Sequence, residues 1–215
     1  MIYWSINFLF HIMNAKRFVT SRISKLWKQE NFLRSFMITL ISGTNRKNSN
    51  TLAVTKIILN KMQSSGQKVQ LCDLNELPID LFQPAYYFNP PDSFSPFQDK
   101  ISNCKGILVV VPEYNGSFPG ALKYFIDLLK FPESLKGLPV GFVGVSAGVF
   151  GALRSIEQLE LIFQYREAHL FAKRVIMPKI NELLNSEKTK IISEYHEQKI
   201  DQLLIEFHEF VKKLS

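Results

Sequence analysis

The sequence predicts an α/β fold: a doubly wound, five-stranded parallel sheet with helices on both faces. Two observations carry this. The apolar runs, such as Ile107 to Val111, are short, β-branched and uninterrupted, as strands buried on both faces are. Three of these runs also share one pattern, in which the strand ends in a polar, Gly-containing loop that feeds a segment with helical spacing. In open sheets of this kind ligands bind outside the carboxyl ends of the strands, so the three loops are the place to look for a site.

The elements follow in order. Met37 to Ser42 is the first strand; the loop Gly43 to Thr51 leads into an amphipathic helix from about Leu52 to Met62. A second strand spans about Lys68 to Leu71 and ends near Asp73. Asp80 to Pro96 is a long loop rich in Pro and in the rings Phe82, Tyr86, Tyr87, Phe88 and Phe94. Loops of this length inside compact domains are functional or disordered, and two readings stand: a wall or lid beside a site, or a surface loop anchored by its own rings. A helix from Ser95 to Asn103 precedes the central strand. After Gly116, Ser117 reads as the cap of a helix through Leu122, Phe125, Ile126 and Leu129. Val140 to Val145 is the fourth strand, Ser146 to Gly151 its loop, and 152–166 its helix, whose Leu161 and Tyr165 exceed what one buried face needs. Ala168 to Met177 is the fifth strand, stopped by Pro178. Glu187 to Leu214 reads as a long final helix whose apolar stripe is core packing.

The first loop suits a phosphate. Thr44, Ser49, Asn50 and Thr51 are short hydroxyl and amide donors, Arg46 adds a planar charged fork, and a helix N-terminus lies behind them. It is not a nucleoside-triphosphate loop, because the Gly-Lys-Ser/Thr ending is absent, and it lacks the Gly-x-Gly-x-x-Gly fingerprint of dinucleotide sites. A mononucleotide phosphate fits; so does an ordinary capped helix start. The second loop, Pro112-Glu113-Tyr114-Asn115-Gly116, offers backbone amides, one carboxylate and one aromatic ring, which suits a flat polar ring system.

Composition narrows the classes. The chain has 215 residues, 46% of them hydrophobic, enough for one sizeable core. The formal charge of +7 is uneven: residues 1–36 carry six Lys/Arg against one Asp/Glu, leaving 20 against 18 for residues 37–215. The main domain is near neutral, without the basic, aromatic-interleaved patch of a nucleic-acid binder. Residues 1–36 form an N-terminal extension, read either as a basic amphipathic membrane-surface helix or, preferably, as a tail produced by a start assigned too early. The apolar run Met1 to Met13 is too short to span a bilayer. Cys72 and Cys104 read as buried inert thiols of a reducing, cytoplasmic compartment. His196 and His208 read as members of a solvated helix face, and the four histidines show no metal-ligand spacing. Ser146 lacks a Gly-x-Ser-x-Gly elbow and a candidate His, so no hydrolase triad can be assembled.

Taken together, Gly43-Thr44-Asn45-Arg46 with Ser49-Asn50-Thr51, Pro112 to Gly116 with Pro119-Gly120-Ala121-Leu122-Lys123, and Ser146-Ala147-Gly148 with Gly151 resemble the NAD(P)H-dependent FMN reductase family of quinone, chromate and azo-dye reductases. The resemblance runs from about Phe36 to Met177 and implies a flavodoxin-like fold. It implies that Thr44, Arg46, Ser49, Asn50 and Thr51 hold the phosphate of FMN. Pro112, Glu113, Tyr114, Asn115 and Gly116 would line the isoalloxazine, and Ser146, Ala147 and Gly148 would close its far edge. It further implies hydride transfer from NADPH or NADH to flavin N5, a small-molecule electron acceptor, no side chain strictly required as acid or base, and a homodimer or homotetramer. Asn45 and the pair Tyr124-Phe125 depart from the common family pattern and bear on substrate preference. The alternative is a flavodoxin-type electron carrier without its own turnover, against which the slightly basic domain weighs, since carriers are usually acidic where they meet partners.

Overall fold

The computed structural model describes residues 36–215; both readings of the N-terminal extension lie outside the described residues but for Phe36. Five strands form one parallel sheet in the order β2-β1-β3-β4-β5. They are β1 (Met37–Ser42), β2 (Lys68–Asp73), β3 (Gly106–Pro112), β4 (Pro139–Val145) and β5 (His169–Met177). From β1 the chain moves outward to β2, then returns past β1 to β3, with Ser42 opposite Val110. The strand order therefore reverses between β1 and β3. At such a switch point the loops leaving the two strands part in opposite directions and open a crevice.

Six α-helices cover the sheet among the described residues: α1 (Asn50–Ser64), α2 (Ser95–Ser102), α3 (Gly120–Leu128), α4 (Leu153–Tyr165), α5 (Ile180–Leu183) and α6 (Glu194–Leu214). Alternation along each strand feeds two cores. Leu108 and Val110 of β3 join Val54 and Ile58 of α1 and Phe207 and Val211 of α6 on one face. Ile107, Val109 and Val111 join Phe97 of α2, Phe125 of α3 and Phe163 of α4 on the other. All seven residues of β3 are buried, which explains why its sequence is apolar throughout rather than alternating. Lys61 of α1 reaches Glu197 and Asp201 of α6 at 2.9 Å each and ties the two helices of one face together.

Three details depart from the sequence expectations. Ser117 does not cap a helix: α3 begins at Gly120 behind Pro119, and Ser117 instead pairs with Tyr114 across a two-residue turn. The final helix starts at Glu194, not Glu187. Residues 184–191 turn back on themselves, with Leu184 and Ile191 bridged, so Ile191 is buried in the core while Ile192 and Tyr195 face outward. His208 is buried rather than solvated. The 80–96 loop is ordered as short 3-10 turns, and Phe94 is buried. Tyr124 fastens this loop, donating its hydroxyl to the Leu81 carbonyl and stacking on Phe82 with 4.6 Å between ring centroids.

Candidate functional site

The three loops converge at the carboxyl edge of the sheet. The first is set by Gly43, whose N–H donates to the Val110 carbonyl at 2.8 Å. A Cβ at Gly43 would stand 2.9 Å from that same oxygen, so the loop can leave β1 this close to β3 only with glycine there. Ser49 caps α1 by accepting the Leu52 N–H at 3.0 Å. The N–H groups of Asn50 and Thr51 are left without an acceptor among the described residues. The first turn of α1 carries no acidic residue to satisfy or neutralise this end.

The second loop is a tight hairpin. Asn115 and Gly116 both have positive φ, 53° and 77°, while Tyr114 and Ser117 exchange backbone hydrogen bonds at 2.7 and 3.1 Å. Asn-Gly is the pair that a turn with two successive positive φ values prefers. Gln158 of α4 holds the turn from behind, donating to the Gly116 carbonyl at 3.1 Å and accepting from the Ser117 hydroxyl at 2.5 Å. The loop is thus rigid before any ligand arrives. The third loop is pinned by the segment after β5: Ser146 N–H donates to the Met177 carbonyl, and the N–H groups of Lys179 and Ile180 donate back to Gly148 and Ser146.

A cavity of about 240 Å³ lies between them. Of the residues singled out in the sequence, Arg46, Ser49, Asn50, Thr51, Pro112, Glu113, Tyr114, Ser146 and Ala147 line it. Thr44 does not. It is fully buried beneath the cavity wall, where its Oγ1 meets the Tyr114 hydroxyl at 2.7 Å and accepts the Arg46 N–H at 3.2 Å. Asn115, Gly116 and Gly148 sit outside the lining, on the turn tips. None of residues 80–96 lines the cavity; the long loop packs beside α3 instead.

Sequence reasoning missed Lys47 and Asn48, inside the first loop, and Ile180 and Lys188, which close the cavity from beyond β5. It also missed the second layer. Asn181 accepts a hydrogen bond from Asn50 Nδ2 at 2.8 Å, and Arg154 of α4 lies 3.3 Å from Glu113. No local pattern announces these partners, since they are separated by 131 and 41 residues.

The chemistry of the lining is specific. Arg46, Lys47 and Lys188 face it with one carboxylate, Glu113, so the cavity attracts anions. Arg46 forms no ion pair among the described residues; its guanidinium lies 5.7 Å from the Tyr114 ring centroid. Two acceptor atoms, Asn50 Oδ1 and Glu113 Oε2, are shut off from solvent with no protein partner among the described residues. Buried acceptors of this kind need a donor. A ligand that suits the lining therefore combines an anionic group, to take the free N–H groups and Arg46, with O–H or N–H donors for Asn50 and Glu113. A phosphorylated polyol carrying a polar ring, as FMN is, has both. Among the described residues no group of three or more His, Cys, Asp or Glu could hold a metal ion.

Comparison with known proteins agrees. The NADPH-dependent FMN reductase family matches residues 36–182. A quinone reductase of Pseudomonas putida strain KT2440 is 31% identical over 137 residues, 60% of this chain and 70% of that protein. An NAD(P)H-dependent FMN reductase of Pseudomonas aeruginosa is 29% identical over 140 residues, 64% of this chain and 74% of that protein. Among solved structures, the FerB flavoenzyme NAD(P)H:(acceptor) oxidoreductase of Paracoccus denitrificans shares the fold with a TM-score of 0.71 at 19% identity, covering 83% of this chain and 98% of that one. The family match spans the whole sheet and all three cavity loops, and the chain belongs to the NADPH-dependent FMN reductase family.

Proposed function

We propose that the cavity at the β1/β3 switch point is the FMN site of an NAD(P)H-dependent reductase whose acceptor is a small quinone-like molecule. The observation that carries this reading is the lining itself: among the described residues, helix N-terminal N–H groups without an acceptor and an Arg46 without an ion pair stand beside two buried acceptors that lack a donor. Arg46, Ser49, Asn50 and Thr51 would hold the phosphate, with Thr44 supporting Arg46 from below. The 112–116 turn and the 146–148 loop would flank the ring. Bound FMN would supply the redox chemistry, accepting two electrons from NADPH or NADH and passing them to the acceptor.

What the chain contributes is binding, rigidity and field. The Asn115-Gly116 turn, fixed by Gln158, presents backbone dipoles that do not have to reorganise when charge changes beside them. Arg154 keeps the Glu113 carboxylate in place and offsets part of its charge. Family membership favours turnover with a pyridine nucleotide over a flavodoxin-type carrier.

Residues 37–215 would form the complete flavin unit, assembled as a homodimer or homotetramer in the cytoplasm. A reducing compartment suits Cys72 and Cys104, both buried and unpaired; burial pushes the Cys72 thiol up to about 12, so it stays an inert thiol. Among the described residues no helix is long and apolar enough to cross a membrane.

The test is direct. The purified protein should carry or take up FMN, turn yellow, and bleach anaerobically on addition of NADPH or NADH without any partner protein. A yellow protein that stays oxidised until a separate reductase is added would instead identify a carrier. Arg46→Ala should weaken FMN about tenfold or more, the loss of one charge-assisted contact. Unchanged affinity in that variant would remove the phosphate assignment.

A further inference from the structure

Lys188 lies outside the stretch that matches the family, yet it lines the same cavity as Arg46 and Lys47. It reaches the cavity from a turn that is stapled by one side chain. Asn185 Oδ1 accepts the N–H groups of Thr189 and Lys190 at 2.8 and 2.9 Å, and the Asn185 carbonyl accepts the Lys188 N–H at 2.9 Å. The Leu184–Ile191 bridge closes the base of the turn, and Lys188 stands at its tip with φ of 55°. The segment is also moored to the first loop through the Asn50–Asn181 hydrogen bond.

The charge arrangement is the second observation. The neighbouring carboxylate, Glu187, is the natural partner for Lys188, but it is engaged elsewhere. Ser186 Oγ donates to it at 2.7 Å and Asn185 Nδ2 at 2.8 Å. Lys188 forms no ion pair among the described residues. The exposed Lys188 side chain is thus left without an ion pair among the described residues, beside a cavity that the N-terminus of α1 also lines. Lysine binds phosphate as a point charge in this way, and a pre-ordered turn lowers the entropy lost on engaging it.

We propose that Lys188 is a phosphate-binding residue of this site, supplied by the 184–191 turn, and that it makes the site select phosphorylated flavin over riboflavin. The inference rests on the reading of the cavity as the FMN phosphate site. FMN and riboflavin are titrated by fluorescence quenching into the full-length chain, freed of flavin, at low and high salt. Lys188→Gln should weaken FMN about tenfold and leave riboflavin within twofold. The FMN deficit should shrink as salt is raised, and Lys188→Arg should restore most of the affinity. If Arg46→Ala loses FMN but Lys188→Gln does not, the assignment of Lys188 is wrong and the phosphate site stands. If neither variant loses FMN, the phosphate site itself is misplaced. Equal losses for FMN and riboflavin in Lys188→Gln would mean that Lys188 supports the ring or the fold, which also overturns the proposal.

Discussion

The Tyr114 hydroxyl lies 2.7 Å from Thr44 Oγ1, and this one contact joins the loop after β1 to the loop after β3. Either oxygen can donate. Thr44 Oγ1 also accepts the Arg46 N–H at 3.2 Å, so the buried threonine orients both the ring of the second loop and the backbone of the first. Tyr114→Phe removes one hydrogen bond and should cost about 0.5–1.5 kcal/mol. Thr44→Val leaves the Tyr114 hydroxyl without its partner and the Arg46 N–H without an acceptor, and should cost about 1–3 kcal/mol and weaken FMN more than Tyr114→Phe does. Urea unfolding of the two variants, with FMN titration beside it, checks the order; equal effects would mean that Thr44 supports Tyr114 alone.

Much of this architecture is legible in the chain because the signals are local. The strands are β-branched runs, and each site loop follows one directly, so Arg46, Ser49, Glu113 and Ser146 can be found by reading off strand ends. What is not legible depends on contacts made across the fold. Asn181 and Lys188 have ordinary sequence surroundings, and only the crossover after β5 brings them to the first loop. Ser117 is misread because a serine before a helix is a common cap, whereas Asn115-Gly116 claims it for a hairpin. His208 is the one miss that periodicity could have prevented. Leu204, His208 and Val211 are spaced as one helix stripe, but the flanking Glu209 and Lys212 make the stretch look solvated.

Arg166 makes a strong stability prediction. It follows α4 and sends its guanidinium to the end of α3, donating to the carbonyls of Ile126, Leu129 and Lys130 at 3.0, 3.3 and 2.9 Å. Those carbonyls lie at the negative end of a helix and need donors. Arg166→Ala should destabilise the fold by about 3 kcal/mol, since a charged donor is lost from several buried acceptors at once. Arg166→Lys should recover only part, because one ammonium cannot span three carbonyls. Thermal unfolding of the two variants distinguishes this from a surface role, for which both would melt like the parent.

His208 sets an acid limit. Both ring nitrogens are buried and lack a hydrogen-bond partner among the described residues. Burial pulls the pKa below the ordinary histidine value; Lys212 adds to this and Glu209 opposes it. Burial lowers the pKa of His196 as well. With the folded-state pKa below the unfolded one, protons bind the unfolded chain more tightly. Stability is therefore full above about pH 6.5 and falls as pH drops below it. His208→Leu should flatten the pH dependence below about pH 6.5, with His196 leaving a residual slope. Unfolding curves at a series of pH values below about 6.5 measure it; an unchanged slope would assign the acid sensitivity elsewhere.

A chain beginning at Met37 should fold and bind FMN with unaltered affinity. The sheet starts at that residue, and every cavity-lining residue lies beyond it. Calorimetry and FMN titration of the shortened and full-length chains make the comparison. Loss of solubility or of FMN on shortening would show that residues 1–36 are part of the unit, and membrane association of the full-length form alone would support the anchor reading.

The last prediction concerns assembly. Phe131, Leu161 and Tyr165 are exposed by 61, 67 and 76%, and they meet on one face, with the Phe131 and Tyr165 rings 6.3 Å apart. Tyr87 of the long loop joins Leu161 and Tyr165 around a groove of about 440 Å³. An apolar surface gathered this way, rather than scattered singly, is what a subunit contact buries. We propose that the occupant is a second copy of this chain. Leu161→Glu would set a charge against its symmetry mate or leave it unpaired in the contact, either of which costs several kcal/mol. The variant should be monomeric by light scattering at micromolar concentration while its monomer fold persists by circular dichroism. Its FMN affinity should change less than its acceptor kinetics, because no residue of the groove lines the cavity proposed for FMN. If the parent chain is a monomer with full NAD(P)H-dependent turnover at nanomolar concentration, the face serves some other contact and the assembly reading falls.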